Sequence, residues 1–198
     1  MKDFYEAIKD RRSIYAISDE SPISKERIEE IVEHAVTYCP TAYNSQSART
    51  VVLFNDYHKK MWQIIFDSLK DIIHPKKLAP IAEKINSFMA GYGTILFYED
   101  TDTIKKLQQE HPTYQGNFPV WSNQSNGMLQ YIIWTSLSLE GLGVSLQHYI
   151  PIADNKIQAE FNIPKTWKLI AQMPFGKPWD EAEEKEIIPV KNRVRVYK

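Results

Sequence analysis

Residues 121–149 read WSNQSNGMLQYIIWTSLSLEGLGVSLQHY, and this stretch decides the fold class. From Trp121 to Glu140, Met128, Leu129, Ile132, Ile133, Trp134 and Leu137 place apolar side chains on more than one helical face, so the spacing predicts a buried helix around which the rest packs. Gly141-Leu142-Gly143 ends it, and Val144 to His148 has the composition of a strand.

Working outward toward the N-terminus, Thr94-Ile95-Leu96-Phe97-Tyr98 is an unbroken apolar run of strand length, as expected of a central strand covered on both faces. Residues 102–110 read as a short solvated helix. Residues 57–73 carry helical spacing through Met61, Ile64, Ile65, Leu69, Ile72 and Ile73, with a weaker helix following to about Phe88. Thr50 to Phe54 reads as a strand, and Ser24 caps a helix that runs through Ile28, Ile31, Val32, Ala35 and Val36 to about Cys39-Pro40. Asp3 and Glu6 have capping-box spacing for an opening helix over residues 3–11. Toward the C-terminus, Asn155 to Phe161 is helix-like and Leu169 to Met173 strand-like. After Asp180, Ile187, Val190, Val194 and Val196 alternate with polar residues. No regular strand–helix–strand beat, repeat or Gly/Ser linker divides the chain, so the expectation is one α+β domain over residues 1–198. Its C-terminal arm, about 180–198, is of the kind that belongs to a dimer.

Composition narrows the function classes. The 198 residues include 24 Lys plus Arg against 25 Asp plus Glu, a formal charge of -1, so nothing favours nucleic acid or an anionic membrane electrostatically. One cysteine, Cys39, permits no internal disulfide and points to a reducing compartment, the cytosol. Acidic residues near Met1 and Lys2 argue against a signal peptide, and no window reaches the roughly 18 to 20 apolar residues of a spanning helix. HExxH, CxxC and GxxxxGK[ST] do not occur, the five histidines are scattered, and no metal is expected. Gly141-Leu142-Gly143 follows a helix and lacks a third glycine, which removes the dinucleotide-fingerprint reading.

Three polar clusters remain: Arg11-Arg12-Ser13, Asn44-Ser45-Gln46-Ser47 and Lys191-Asn192-Arg193. Arg and Lys suit a terminal phosphate, and Asn and Gln amides suit a heterocycle edge that alternates carbonyl and N–H groups. Taken singly, each cluster reads first as ordinary solvated surface.

Their order and wording resemble the nitroreductase family of FMN-dependent flavoproteins, most closely the fungal-type subgroup and its bacterial relatives. The family's Arg-x-Ser motif is met by Arg11-Arg12-Ser13, and its Pro-Ser-x-x-Asn-x-Gln-Pro loop by Pro40 to Ser47. Its Gly-Leu-Gly strand is met by Gly141 to Tyr149, and its Gly-Lys-Pro turn and basic pair by Gly176-Lys177-Pro178 and Lys191-x-Arg193. The resemblance implies a central, mostly antiparallel sheet flanked by helices and a homodimer whose two FMN sites are built from both chains, with exchanged C-terminal arms. It implies that Arg11, Lys191 and Arg193, with Ser13 close by, hold the FMN phosphate. Asn44 and Gln46, from the other subunit, address the ring and ribityl chain, and Gln147, His148 and Tyr149 pack against the ring.

The implied activity is ping-pong hydride transfer from NAD(P)H to nitroaromatic or quinone-type acceptors, with no side-chain acid or nucleophile required. Tyr114, Phe118 and Trp121 are candidates for a stacking lid and equally for plain core. Two departures stand out. The basic residue that many members carry two positions after the motif serine is Tyr15 here, so charge near flavin N1 falls to Arg12 or Arg49. Ser47 replaces the usual loop proline. A flavin-binding regulatory or sequestering module with little turnover is the alternative reading.

Overall fold

The computed structural model describes residues 3–198; Met1 and Lys2, which belong to the N-terminal reading above, lie outside the described residues. The capping box forms as its spacing requires. The Asp3 carboxylate accepts from the Glu6 N–H at 2.9 Å and the Glu6 carboxylate from the Asp3 N–H at 3.1 Å, opening α1 (Phe4–Asp10). Then come β1 (Ile17–Ser18), α2 (Lys25–Tyr38), capped by the Ser24 hydroxyl on the Arg27 N–H, and β2 (Ala48–Phe54). They are followed by α3 (Asn55–Lys70), α4 (Leu78–Met89), β3 (Gly93–Asp100), α5 (Thr101–Glu110) and α6 (Phe118–Leu139). The last elements are β4 (Gly143–Val144), α7 (Asp154–Glu160) and β5 (Trp167–Pro178).

The sheet runs β1-β5-β3-β2 with β4 also paired to β5, and every one of these pairings is antiparallel. Residues 93–99 of β3 are buried on both faces, as its apolar run requires. Ile95 and Phe97 face a core made with α2 and α6, through Ile28, Val32, Leu129, Ile133 and Leu137. Leu96 and Tyr98 face a second core with α3, α4 and α7, through Trp62, Ile65, Ile85, Phe88 and Ile157. Burying each such aliphatic side chain is worth about 1.5–3 kcal/mol, so the two cores fix the sheet between two helical layers.

The second core contains one polar knot. Trp62 Nε1 donates to Thr94 Oγ1 at 2.9 Å; the Met89 carbonyl, 3.2 Å from His58 Nε2, can only accept, so Nε2 carries the proton and Nδ1 of the neutral ring accepts the Thr94 hydroxyl at 2.7 Å. Burial disfavours the charged ring and lowers its pKa to about 4, which keeps it neutral near pH 7.

Three expectations need correction. The strand expected over Val144 to His148 pairs only at Gly143–Val144, with one isolated bridge, Gln147 to Gln172, beyond it. The Gln172 side chain replaces the missing ladder: its Oε1 accepts from the Tyr149 N–H at 2.9 Å and its Nε2 donates to the Tyr149 carbonyl at 3.4 Å. The strand expected over Leu169 to Met173 continues through Pro174 to Pro178, because Pro174, though unable to donate, still accepts the Ser145 N–H through its carbonyl. The helix expected to be wrapped by the rest leaves part of its apolar surface uncovered: on α6, Met128, Tyr131 and Leu139 are exposed. Residues after Asp180 form no strand, and Ile187, Val190, Val194 and Val196 stand exposed. Among the described residues, no helix is long and apolar enough to cross a membrane, and no group of three or more His, Cys, Asp or Glu could hold a metal ion.

Candidate functional site

Three of the four motifs meet at the C-terminal end of β5. From its C-cap residue Arg11 the chain leaves α1 in extended conformation, and the Ile14 N–H donates to the Val144 carbonyl at 2.9 Å. β1 pairs Ile17 with Pro178 and Ser18 with Lys177, while β4 pairs Gly143 with Gly176. This crossing needs glycine. A Cβ on Gly176 would sit 2.1 Å from the Ser18 carbonyl oxygen, and one on Gly143 2.9 Å from methyls of Ile14 and Ile17.

The junction aims Arg11, Arg12, Ser13 and Tyr15 into a cleft of about 690 Å³, shared with Tyr131 and Trp134 of α6 and with residues 180–186. The Arg11 guanidinium lies 4.3 Å from the centre of the Trp134 ring and 5.8 Å from that of Tyr131. Its Nε is buried without a hydrogen-bond partner, and so is Trp134 Nε1. Arg11 as a whole is half-buried, and a cation with one enclosed, unmade donor is a group an oxyanion satisfies. Arg12 donates through Nη2 to the Glu183 carbonyl. Lys191 and Arg193 do not line this cleft; they lie at the exposed 190–192 turn.

The Asn-x-Gln loop is strained and heavily tied. Tyr43, Asn44 and Gln46 have φ of 57°, 50° and 47°, a left-handed conformation that costs non-glycine residues about 1–3 kcal/mol each. Against this, the Gln46 N–H donates to Thr41 Oγ1 at 3.1 Å and the Asn44 N–H to the Thr41 carbonyl at 3.0 Å. Arg49 bridges from its Nη1 to the Gln46 carbonyl at 2.6 Å and from its Nη2 to Asp100 at 3.0 Å. Its guanidinium is thereby committed to the loop, which leaves Arg12 as the arginine of the expected pair that lines the Arg11 cleft. Gln46 and Arg49 instead line a separate cleft of about 350 Å³ with Cys39, Thr41, Ser125 and Trp167. Burial pushes the Cys39 thiol up in pKa, away from a reactive thiolate.

Tyr114, Phe118 and Trp121 do converge, and they do so around Tyr43. Its ring stacks on Trp121 at 5.9 Å and 14°, with Phe118 at 5.3 Å, Tyr114 at 6.3 Å and His111 at 4.7 Å. Phe118 is only 3% exposed and belongs to the packing, whereas Tyr114 at 44% and Tyr43 at 49% face outward. Tyr43 and His111 escaped the sequence reading; an aromatic inside a left-handed polar loop was the available signal.

At residues 147–149, the Gln147 backbone pairs with Gln172 and its side chain turns inward to Ser145 Oγ at 3.1 Å. His148 is exposed. The Tyr149 ring packs on Trp62 at 5.9 Å and Phe88 at 6.3 Å, and burial raises its hydroxyl pKa. Tyr15 reaches the same Phe88 at 6.3 Å, so the Arg-Arg-Ser segment and the 147–149 segment share one neighbourhood.

The Asn-x-Gln loop is elsewhere. It enters the sheet where Ala48 pairs with Glu99, whereas the other motifs gather where Phe175 pairs with Gly93. The six steps along β3 from Gly93 to Glu99 span about 20 Å. On α6, Trp121 touches the loop and Trp134 touches Arg11, and thirteen residues of helix again span about 20 Å.

With this geometry in hand, the profile of the Nitroreductase family matches residues 8–177. The chain belongs to the nitroreductase family. Within that family, Saccharomyces cerevisiae HBN1 is 31% identical over 189 residues, 94% of this chain and 93% of HBN1. Nitroreductase CinD from Lactococcus lactis, solved with chloramphenicol and with 4-nitrophenol, is 38% identical. In the chloramphenicol complex it superposes with a TM-score of 0.91 over 99% of this chain and 100% of CinD. A Desulfovibrio desulfuricans protein of the same fold, 15% identical with a TM-score of 0.71 over 100% and 99% of the two chains, was solved with FMN. For a nitroreductase-family chain, FMN is therefore the group to test against the residues present. The buried, unsatisfied Nε of Arg11, with Ser13 beside it against Tyr131 and Trp134, fits the phosphate end of such a group, whereas Asp180, Glu181, Glu183, Glu184 and Glu186, which line the same cleft, oppose an anion and must stand clear of it.

Proposed function

We propose that the chain is an FMN-dependent NAD(P)H oxidoreductase that reduces nitroaromatic or quinone-type acceptors, with residues 1–198 as one domain that works as a homodimer. The observation that carries the reading is Arg11: a half-buried cation held over Trp134, its Nε shielded from solvent and without a partner, lining a large cleft. Arg11, with Ser13, holds the FMN phosphate, and Lys191 and Arg193, which stand away from the Arg11 cleft of their own chain, join it only through the arm of a second copy. Gln147, His148 and Tyr149 present extended backbone to the ring. When bound, FMN supplies hydride acceptance and donation.

The 20 Å between the Arg11 cleft and the Asn-x-Gln loop supports a site completed by a second copy, whose Asn44 and Gln46 supply donors and acceptors to the ring. The exposed Met128, Tyr131 and Leu139 on α6 and the uncovered apolar residues of the tail give such a copy a surface to bury. Tyr43, Tyr114 and Trp121 offer stacking area to flat acceptors, in keeping with the nitroaromatics bound by CinD. NAD(P)H and the acceptor use that space in turn, which accounts for broad acceptor scope without a dedicated acid or base.

The test is the visible absorption spectrum of purified protein before and after anaerobic NADH or NADPH. A two-band yellow spectrum that bleaches is the expected result. A flavin spectrum that resists bleaching assigns the chain to flavin binding without turnover, and a protein that stays colourless after incubation with FMN refutes the reading.

A further inference from the structure

Glu99, at the end of β3, is 2% exposed and takes no part in the chemistry above. Its carboxylate accepts from Ser47 Oγ at 2.6 Å through Oε2 and from Asn126 Nδ2 at 2.8 Å through Oε1, and the Asn126 amide oxygen accepts from Gln130 Nε2 at 2.7 Å. Ser47 Oγ lies 3.5 Å from Ser45 Oγ, so the chain of polar contacts runs from the interior of α6 up into the strained loop. One residue along, Asp100 grips the same loop from outside through Arg49 and the Gln46 carbonyl. The charged groups near Glu99 are Arg49, already paired with Asp100, and Asp100 itself; α6 offers it only the amide of Asn126.

A buried carboxylate adds no stability that an apolar side chain of its volume would not, because its desolvation opposes what its hydrogen bonds return. Burial raises the pKa of Glu99 accordingly. What the carboxylate does provide is direction: it fixes the Ser47 hydroxyl, and with it the end of a loop in which three non-glycine residues are left-handed.

We propose that Glu99 is a positioning residue, acting through Ser47 to lock the Tyr43–Gln46 loop in the conformation that presents Asn44 and Gln46 to the flavin. This rests on the function proposed above. The loop's geometry therefore has its own readout, separate from FMN.

Amide hydrogen exchange over residues 41–49 and FMN titration of the apoprotein are measured on wild type, Glu99→Gln and Glu99→Leu. Gln offers an oxygen to Asn126 and an N–H to the Ser47 hydroxyl, so Glu99→Gln should keep exchange near wild type and FMN affinity within about threefold. Glu99→Leu should speed exchange in the loop roughly tenfold, leave α3 unchanged and weaken FMN by roughly tenfold. Should Glu99→Leu not fold, Ser47→Ala, which cuts only the link to the loop, should give the same two effects. Wild-type exchange in Glu99→Leu or Ser47→Ala overturns the proposal, as does a loosened loop with undiminished FMN affinity or a Gln variant as impaired as Leu. If the wild type takes up no FMN, the functional reading falls, and loop exchange alone decides the role of Glu99.

Discussion

Mixing two crippled variants should restore activity. Arg11→Ala removes the charge-assisted phosphate contact, worth about 1.5–3 kcal/mol, or roughly 10- to 150-fold in FMN affinity. Asn44→Gly with Gln46→Ala removes two neutral amide contacts, together about 1–3 kcal/mol. These replacements suit the backbone: glycine accepts the φ of 50° at Asn44, and alanine at Gln46 pays no more for its φ of 47° than glutamine does. Because the Arg11 cleft and the loop lie about 20 Å apart in one chain, each site of the proposed homodimer would draw Arg11 from one chain and the loop from the other. In a mixed dimer one site then receives both lesions and its twin receives neither. Random re-pairing of equal amounts makes half the dimers mixed, so about one quarter of all sites should be intact. The assay is NAD(P)H oxidation with 4-nitrophenol at limiting FMN, before and after co-refolding the two variants. If the mixture only averages its parents, both motifs serve the same chain's site and the reasoning is wrong.

Further outcomes follow from single residues. His58 is neutral in the fold with a pKa of about 4, against about 6.5 when unfolded; its stabilising share is whole above pH 6.5 and lost as pH falls toward 4. About 2–3 kcal/mol should disappear between pH 7.5 and 4.5 in urea unfolding, less so in His58→Gln; a pH-independent difference between the two proteins would contradict the neutral-ring assignment. Gly176→Ala forces the added carbon against the Ser18 carbonyl and should cost about 1–3 kcal/mol or more, seen as a lower Tm together with weaker FMN binding, since β1 anchors the Arg11–Tyr15 segment that precedes it. Tyr15→Lys places a cation in the Arg11 cleft and should shift the bound flavin's reduction potential upward; an unchanged potential would show that position 15 does not sense the ring.

What could be read in the sequence was local or periodic. Asp3 and Ser24 announce their helices because a cap is satisfied within three residues, and β3 announces itself because burial on both faces demands an unbroken apolar run. β1 was invisible: its two residues are a strand only because Pro178 and Lys177, about 160 positions away, lie beside them. The extension of β5 was hidden by Pro174, whose missing donor matters less than its carbonyl. The Arg11 segment was legible through motif order, yet Arg49 looked available for the flavin until its ties to Gln46 and Asp100 were seen. Glu99 looked like one acid among 25, and its partner Ser47 is 52 residues distant.

The amide of Gln172 stands in for a strand along residues 147–149. A ladder resists editing, because moving one rung moves its neighbours. A segment held by one backbone bridge at Gln147 and one side-chain amide has few rungs to move: shortening that glutamine frees the Tyr149 backbone and leaves β5 paired to β3. The exposed His148 and half-buried Tyr149 can be varied at little cost to folding, whereas the fully buried Gln172 accepts only residues of similar volume, so variation of this segment is best begun at 148 and 149.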